Sequence, residues 1–150
     1  MSESRSANGR GSRQRARRLA LQALYQWLVA DTANTGLLEQ FAHDPGMGRA
    51  NRDYFRDLVN GVIGHRNELE EGFAAVIDRP LAQLDPVEHA VLLLAAYELS
   101  HHPELPYRVV INEAVELAKR FGATDSHRYI NGVLDKVARR LRTTEINAGL

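Results

Sequence analysis

The chain contains no cysteine among its 150 residues, which excludes disulfides, a thiolate nucleophile, zinc–thiolate sites and iron–sulfur clusters. It also lacks any run of about 18 apolar residues and any apolar stretch behind its polar, basic start, so neither a membrane span nor a secretion signal is expected. A cytoplasmic location fits both absences. Neither a G-x-x-x-x-G-K-[ST] loop nor a G-x-G-x-x-G fingerprint occurs; Gly9/Gly11 and Gly46/Gly48 have no third glycine, and nucleotide-dependent catalysis has no foothold. The six histidines (His43, His65, His89, His101, His102, His127) show no H-E-x-x-H or other ligand spacing, so no metal is expected. Acidic pairs such as Glu70/Glu71 and Glu113/Glu116 read as solvated helix faces. No catalytic residue, cofactor or enzymatic activity is predicted.

The zero formal net charge conceals a segregation. Residues 1–18 hold six arginines (Arg5, Arg10, Arg13, Arg15, Arg17, Arg18) against Glu3, leaving the remainder with 13 basic and 18 acidic side chains. A basic arm on an acidic body is compatible with nucleic acid despite the neutral sum. With 44% hydrophobic residues, the chain is long enough for one compact domain.

The first dozen residues are mostly Ser, Gly, Arg and Asn and cannot bury enough surface to offset their ordering entropy, which predicts a flexible basic tail over 1–12. From Arg13 the pattern turns helical. Ala16, Leu19, Ala20, Leu21, Ala23, Leu24, Trp27 and Leu28 fall in one arc at 100° per residue, with Arg15, Arg18, Gln22, Tyr25 and Gln26 opposite. Arg13 and Arg17 project towards the apolar side, an expectation that places them at a frayed helix start. A short helix near Gly36–Ala42 is broken by His43-Asp44-Pro45-Gly46-Met47-Gly48. One long helix, bent near Gly64, is predicted over about 52–78.

Asp85-Pro86-Val87-Glu88 is a helix start in which Asp85 caps, Pro86 takes the first helical position and Glu88 returns a hydrogen bond. The run from Ala90 to Leu99 is apolar nearly all round and marks a buried helix. Further helices are expected from about Val109 to Phe121, closed by Gly122, and from Thr124-Asp125-Ser126 to about Leu141. Leu58-Val59-Asn60-Gly61-Val62-Ile63 echoes Tyr129-Ile130-Asn131-Gly132-Val133-Leu134, which suggests close helix approach at the two glycines or a chance likeness between amphipathic helices. The expected architecture is all-α with six to seven helices, a domain over 13–142 and a C-terminal tail over 143–150.

Arginine offers a permanent charge for phosphate and a plane for stacking on bases, and tyrosine offers a ring and a hydroxyl. The arginine-rich arm running into a helix that carries Gln22 and Tyr25 is therefore a candidate RNA contact; a solvated tail with Tyr25 bordering the core is the other reading.

Several motifs in order resemble the NusB family of transcription antitermination proteins. They are Arg15-Ala16-Arg17 with Gln22-Ala23-Leu24-Tyr25-Gln26-Trp27, Tyr54-Phe55-Arg56-Asp57-Leu58, Val91-Leu92 through Ala96-Tyr97-Glu98-Leu99, and Pro106-Tyr107. Ile111-Asn112-Glu113-Ala114-Val115-Glu116-Leu117-Ala118-Lys119-Arg120-Phe121-Gly122 follows, then Asp125-Ser126-His127 through Asn131-Gly132-Val133-Leu134-Asp135-Lys136. The resemblance covers about residues 13–142. It implies two packed helical bundles and binding to the boxA element of ribosomal RNA leader transcripts together with NusE, a small-subunit ribosomal protein. It further implies assembly with other Nus factors on RNA polymerase, and homodimers occur in the family. The RNA surface it implies takes Arg13, Arg15, Arg17 and Tyr25 from the first helix and Asp125 and Tyr129 near the start of the last helix; the polar face read above adds Arg18 and Gln22. Glu88 is the implied NusE contact. Gln14 interrupts an often unbroken arginine run, and Tyr129 stands where phenylalanine is common. Two alternatives accompany this reading. One is an RNA-recognition domain related to those of ribosomal RNA cytosine methyltransferases, disfavoured because the chain ends at Leu150 without a methyl-donor domain. The other is a homodimeric scaffold without RNA.

Overall fold

A computed structural model describes residues 9–30 and 36–149. These residues form eight α-helices and two 3₁₀ turns and no strand, so the all-α expectation holds. The helices fall into two compact units, one ending at Gly64 and one beginning at His65.

The first unit is built on α1 (Arg10–Ala30), which buries Ala16, Leu19, Ala20, Leu21, Ala23 and Leu24. Against it packs α3 (Arg52–Gly64), with Phe55, Leu58, Val59 and Val62 inside. The short α2 (Leu37–Ala42) adds Phe41, whose ring lies 6.1 Å from that of Phe55. The Gly- and Pro-rich stretch that ends α2 is ordered as a 3₁₀ turn over Pro45–Arg49. Its start is held by Asp44, whose carboxylate accepts from Gly46 N at 2.8 Å, and it presents Met47 to the core. Asn51 ties this unit together. Its amide donates to the Ser12 carbonyl at 3.1 Å while its side-chain oxygen accepts from Tyr54 N at 3.0 Å, capping α3.

In the second unit α5 (Pro86–His101) is the central helix, buried from Ala90 through Leu99. Around it lie α4 (Arg66–Ala74), α6 (Tyr107–Phe121) and α7 (Ser126–Leu141). The α7 stripe Ile130, Val133, Leu134, Val137 and Ala138 has the i, i+3, i+4, i+7, i+8 spacing of a helix packed on one side. Asp85 caps α5 as expected, accepting from Val87 N at 2.9 Å and Glu88 N at 3.3 Å.

At the other end of α5, the last carbonyls are met by a side chain from beyond α7. The buried Arg142 guanidinium donates to the carbonyls of Leu99 (2.9 Å), Leu105 (2.7 Å) and His102 (3.0 Å). It also pairs with Glu145 at 2.6 Å, and Glu145 in turn accepts from Tyr107 N at 2.9 Å, which satisfies the start of α6. Glu145 belongs to α8 (Thr143–Asn147).

Three boundaries and one packing expectation differ from the sequence reading. The helix expected from Arg13 begins at Arg10, where Gly9 accepts from Arg13 N at 3.2 Å and from the Ser12 hydroxyl at 2.8 Å. Residues 1–8 of the expected tail lie outside the described residues. The single bent helix over 52–78 is two helices, broken at Gly64 and His65. The expected C-terminal tail contains α8, recruited by the Arg142–Glu145 pair. Gly132, expected at a close helix approach, is exposed, and a Cβ there would meet no atom of the described residues within 4 Å; Gly61 is buried.

Candidate nucleic-acid interface

The polar face of α1 is formed by residues three to four apart, which stand above one another on a helix. Arg15, Arg18, Gln22 and Tyr25 follow this spacing, with the arginines half-buried, Gln22 exposed and Tyr25 42% exposed. Gln22 Nε2 donates back to the Arg18 carbonyl at 3.2 Å, which holds the amide along the helix. A Cβ on Gly11 would lie 3.2 Å from a terminal nitrogen of Arg15: the guanidinium folds over the first turn, where a side chain at residue 11 would crowd it.

The first turns of α1 carry Arg10 and Arg13 and no acidic residue. Positive charge at the positive end of the helix dipole is unfavourable, by roughly 0.3–1 kcal/mol for an exposed group. This arrangement does not serve helix stability. It concentrates positive potential where free backbone N–H groups already favour an anion.

Arg17 behaves differently. Far from a frayed start, it sits in the second turn of a helix already formed at Arg10, exposes 3% of its surface, and directs its guanidinium over the Tyr54 ring at 5.6 Å. Its projection towards the apolar side of α1 was the signal. Its expected phosphate contact gives way to a place inside the first unit, where it braces α1 against α3. Arg13 remains half-buried.

On the second unit, Asp125 and Tyr129 stand one turn apart at the start of α7. Asp125 is exposed and makes no side-chain cap. Tyr129 is half-buried, and the Arg79 guanidinium lies 4.5 Å from its ring centre. Arg79 is itself fixed by Asp78, at 2.7 and 3.2 Å; the hydrogen bond from Arg79 holds the Asp78 carboxyl below its ordinary range. The Tyr129 hydroxyl is buried without a hydrogen-bond partner among the described residues, and burial pushes its ionisation up. One face of the ring is therefore covered by a cation rather than bare, a contact that no periodicity around Asp78-Arg79-Pro80 announces.

Glu88 exposes 9% of its surface and accepts from the Ser126 hydroxyl at 2.6 Å. The reciprocal capping bond expected of it is replaced by this link between α5 and α7. Ser126, read from the sequence only as part of a helix start, is the residue that holds the carboxylate.

A profile of the NusB family matches residues 14–139. The chain belongs to the NusB family. Among relatives named transcription antitermination protein NusB, that of Aromatoleum aromaticum is 46% identical over 142 residues, 95% of this chain and 98% of the relative. That of Marinomonas sp. is 50% identical over 138 residues, 91% and 79% of the two chains. Among solved structures, T. maritima NusB aligns with a TM-score of 0.74 at 29% identity, covering 85% of this chain and 90% of that one. A complex described as antitermination factors NusB and NusE with dsRNA aligns with a TM-score of 0.80 at 21% identity, covering 88% and 99%; at that identity the likeness is one of fold. The NusB profile spans both the polar face of α1 and the start of α7. Among the described residues of this NusB-family chain, no helix is long and apolar enough to cross a membrane.

Proposed function

We propose that this chain is a non-enzymatic, cytoplasmic transcription antitermination factor that binds boxA RNA of ribosomal RNA leader transcripts jointly with NusE. Its part is assembly: the RNA-bound pair joins other Nus factors on RNA polymerase. The observation that carries the reading is the polar face of α1, where Arg15, Arg18, Gln22 and Tyr25 stand one above another directly after the Arg10 and Arg13 cations of the first turn. Membership of a family whose relatives are named antitermination proteins supports it. The RNA-contacting residues proposed are Arg13, Arg15, Arg18, Gln22 and Tyr25 on the first unit and, as a separate group, Asp125 and Tyr129 on the second. For NusE the proposal names the α5–α7 junction around Glu88.

The test is affinity for a boxA RNA and a scrambled RNA, each with and without NusE. Tighter boxA binding that NusE strengthens is expected. Equal affinity for both RNAs in all four mixtures would remove the proposal in favour of a scaffold without RNA. Glu88→Gln, which keeps an acceptor for Ser126 but drops the charge, should retain the parent's thermal stability and weaken NusE binding. Unaltered NusE affinity would reduce Glu88 to an internal brace.

A further inference from the structure

Away from the RNA- and partner-facing residues, three side chains with metal-ligand chemistry meet where α4 begins and α5 ends. His65 is the residue before α4, Glu68 stands in the first turn of α4, and His101 is the last residue of α5. One ligand atom from each lies within 4.8 Å of the others. No motif shows this in the sequence, because the third ligand comes from a different helix. Glu68 and His101 are exposed and His65 is half-buried, so an aqueous ion reaches the cluster without opening the fold.

The imidazoles are brought together by ring contacts. The buried Tyr97 ring stacks on His101 with centroids 4.7 Å apart and planes 18° apart, and the His65 ring lies 4.4 Å from that of His101. Ser100 fixes the chemistry of His101. Its hydroxyl donates its one proton to the Ala96 carbonyl at 2.7 Å, so towards His101 Nδ1, at 2.9 Å, the same oxygen can only accept. The ring proton therefore sits on Nδ1 and the lone pair on Nε2. This is the outer hydrogen bond that orients a ligating histidine. The neighbouring His102 is engaged elsewhere, through Nδ1 to Glu104 at 2.8 Å.

Two imidazoles and one carboxylate suit a borderline divalent transition ion; calcium and magnesium require more oxygen ligands. A tetrahedral ion with bonds of about 2.0–2.1 Å needs its donors about 3.3 Å apart, a closure within reach of side-chain rotation.

We propose that His65, Glu68 and His101 form a three-ligand site for a borderline divalent transition ion such as zinc, with a fourth position open to solvent or to a donor from a partner. The bound ion ties the start of α4 to the end of α5, adding to the Glu70–His89 pair at 2.6 Å that already links the two helices.

The test is calorimetric titration of the full chain with zinc chloride alone, on the parent and on His65→Gln, His101→Gln and Glu68→Gln. One equivalent should bind the parent, at least tenfold more tightly than either histidine variant, with Glu68→Gln weakened less. Circular dichroism checks that the variants keep their helices. Long-range ¹H–¹⁵N spectra of the histidine rings should show zinc shifting His101 Nε2 while Nδ1 keeps its proton. Absence of zinc binding by the parent at millimolar concentration, equal binding by parent and histidine variants, or zinc-induced shifts only at His43, His89 or His127 would overturn the site.

Discussion

Tyr129 and Arg142 show how single side chains divide between recognition and architecture. The Tyr129 ring supports the Arg79 guanidinium on one face, and its buried hydroxyl engages no partner among the described residues. Tyr129→Phe should therefore leave the thermal unfolding midpoint close to that of the parent, since the buried hydroxyl approaches the Asp78 carboxylate without a hydrogen bond of good geometry. Tyr129→Ala should lower RNA affinity by about 1–3 kcal/mol, the range for loss of one base-stacking ring, with helical circular dichroism retained. A drop in stability for Tyr129→Phe would mean that the hydroxyl does have a structural partner. Arg142 is architectural. It serves three carbonyls and Glu145 from a buried position, so Arg142→Ala should cost on the order of 3 kcal/mol, read by chemical denaturation. Arg142→Ala with parent stability would show that water replaces the guanidinium. Neither role is legible in the sequence: Tyr129 stands out only through the family motif, and nothing around Arg142 announces its role, because its carbonyl acceptors lie about forty residues away.

The elements themselves were more legible, and the misses have local causes. The Asp85-Pro86 start of α5 and its continuous apolar run required only capping chemistry and burial, and both are observed. The α1 face followed from its period, including the warning that Arg17 points inwards. By contrast, the break at Gly64 and His65 interrupts an apolar period that continues from α3 into α4, so periodicity read one helix where there are two. Gly122 illustrates a correct residue for a different reason. It was expected to close α6, and it does so with φ −96°, outside the left-handed region; what it provides is room, since a Cβ would lie 2.8 Å from the Ala118 carbonyl oxygen and 3.0 Å from Ser126 Cβ. Gly122→Ala should therefore destabilise the protein by about 1–3 kcal/mol, as overpacking does. Because Ser126 also holds Glu88, the same change should disturb the α6–α7 corner, visible as local loss of amide protection around residues 122–127. Unchanged stability would show that the corner yields without strain.

At the scale of the whole molecule, charge is distributed by role. The acidic excess lies in the body and the cations cluster at the start of α1, so the neutral net charge says little about what the protein attracts. Under the proposed function this cluster meets RNA phosphates through Arg15 and Arg18, with Arg17 withdrawn into the core. The most direct measurement is the salt dependence of boxA RNA binding by the parent, by the Arg15→Ala/Arg18→Ala double variant and by Arg17→Ala. The double variant should keep its fold, bind more weakly and lose about 0.7 from the log–log salt slope for each phosphate contact removed from a single strand. Arg17→Ala should lose stability, with its slope unchanged wherever it remains folded. A double variant with the parent's slope and affinity would contradict the assignment of this face to RNA.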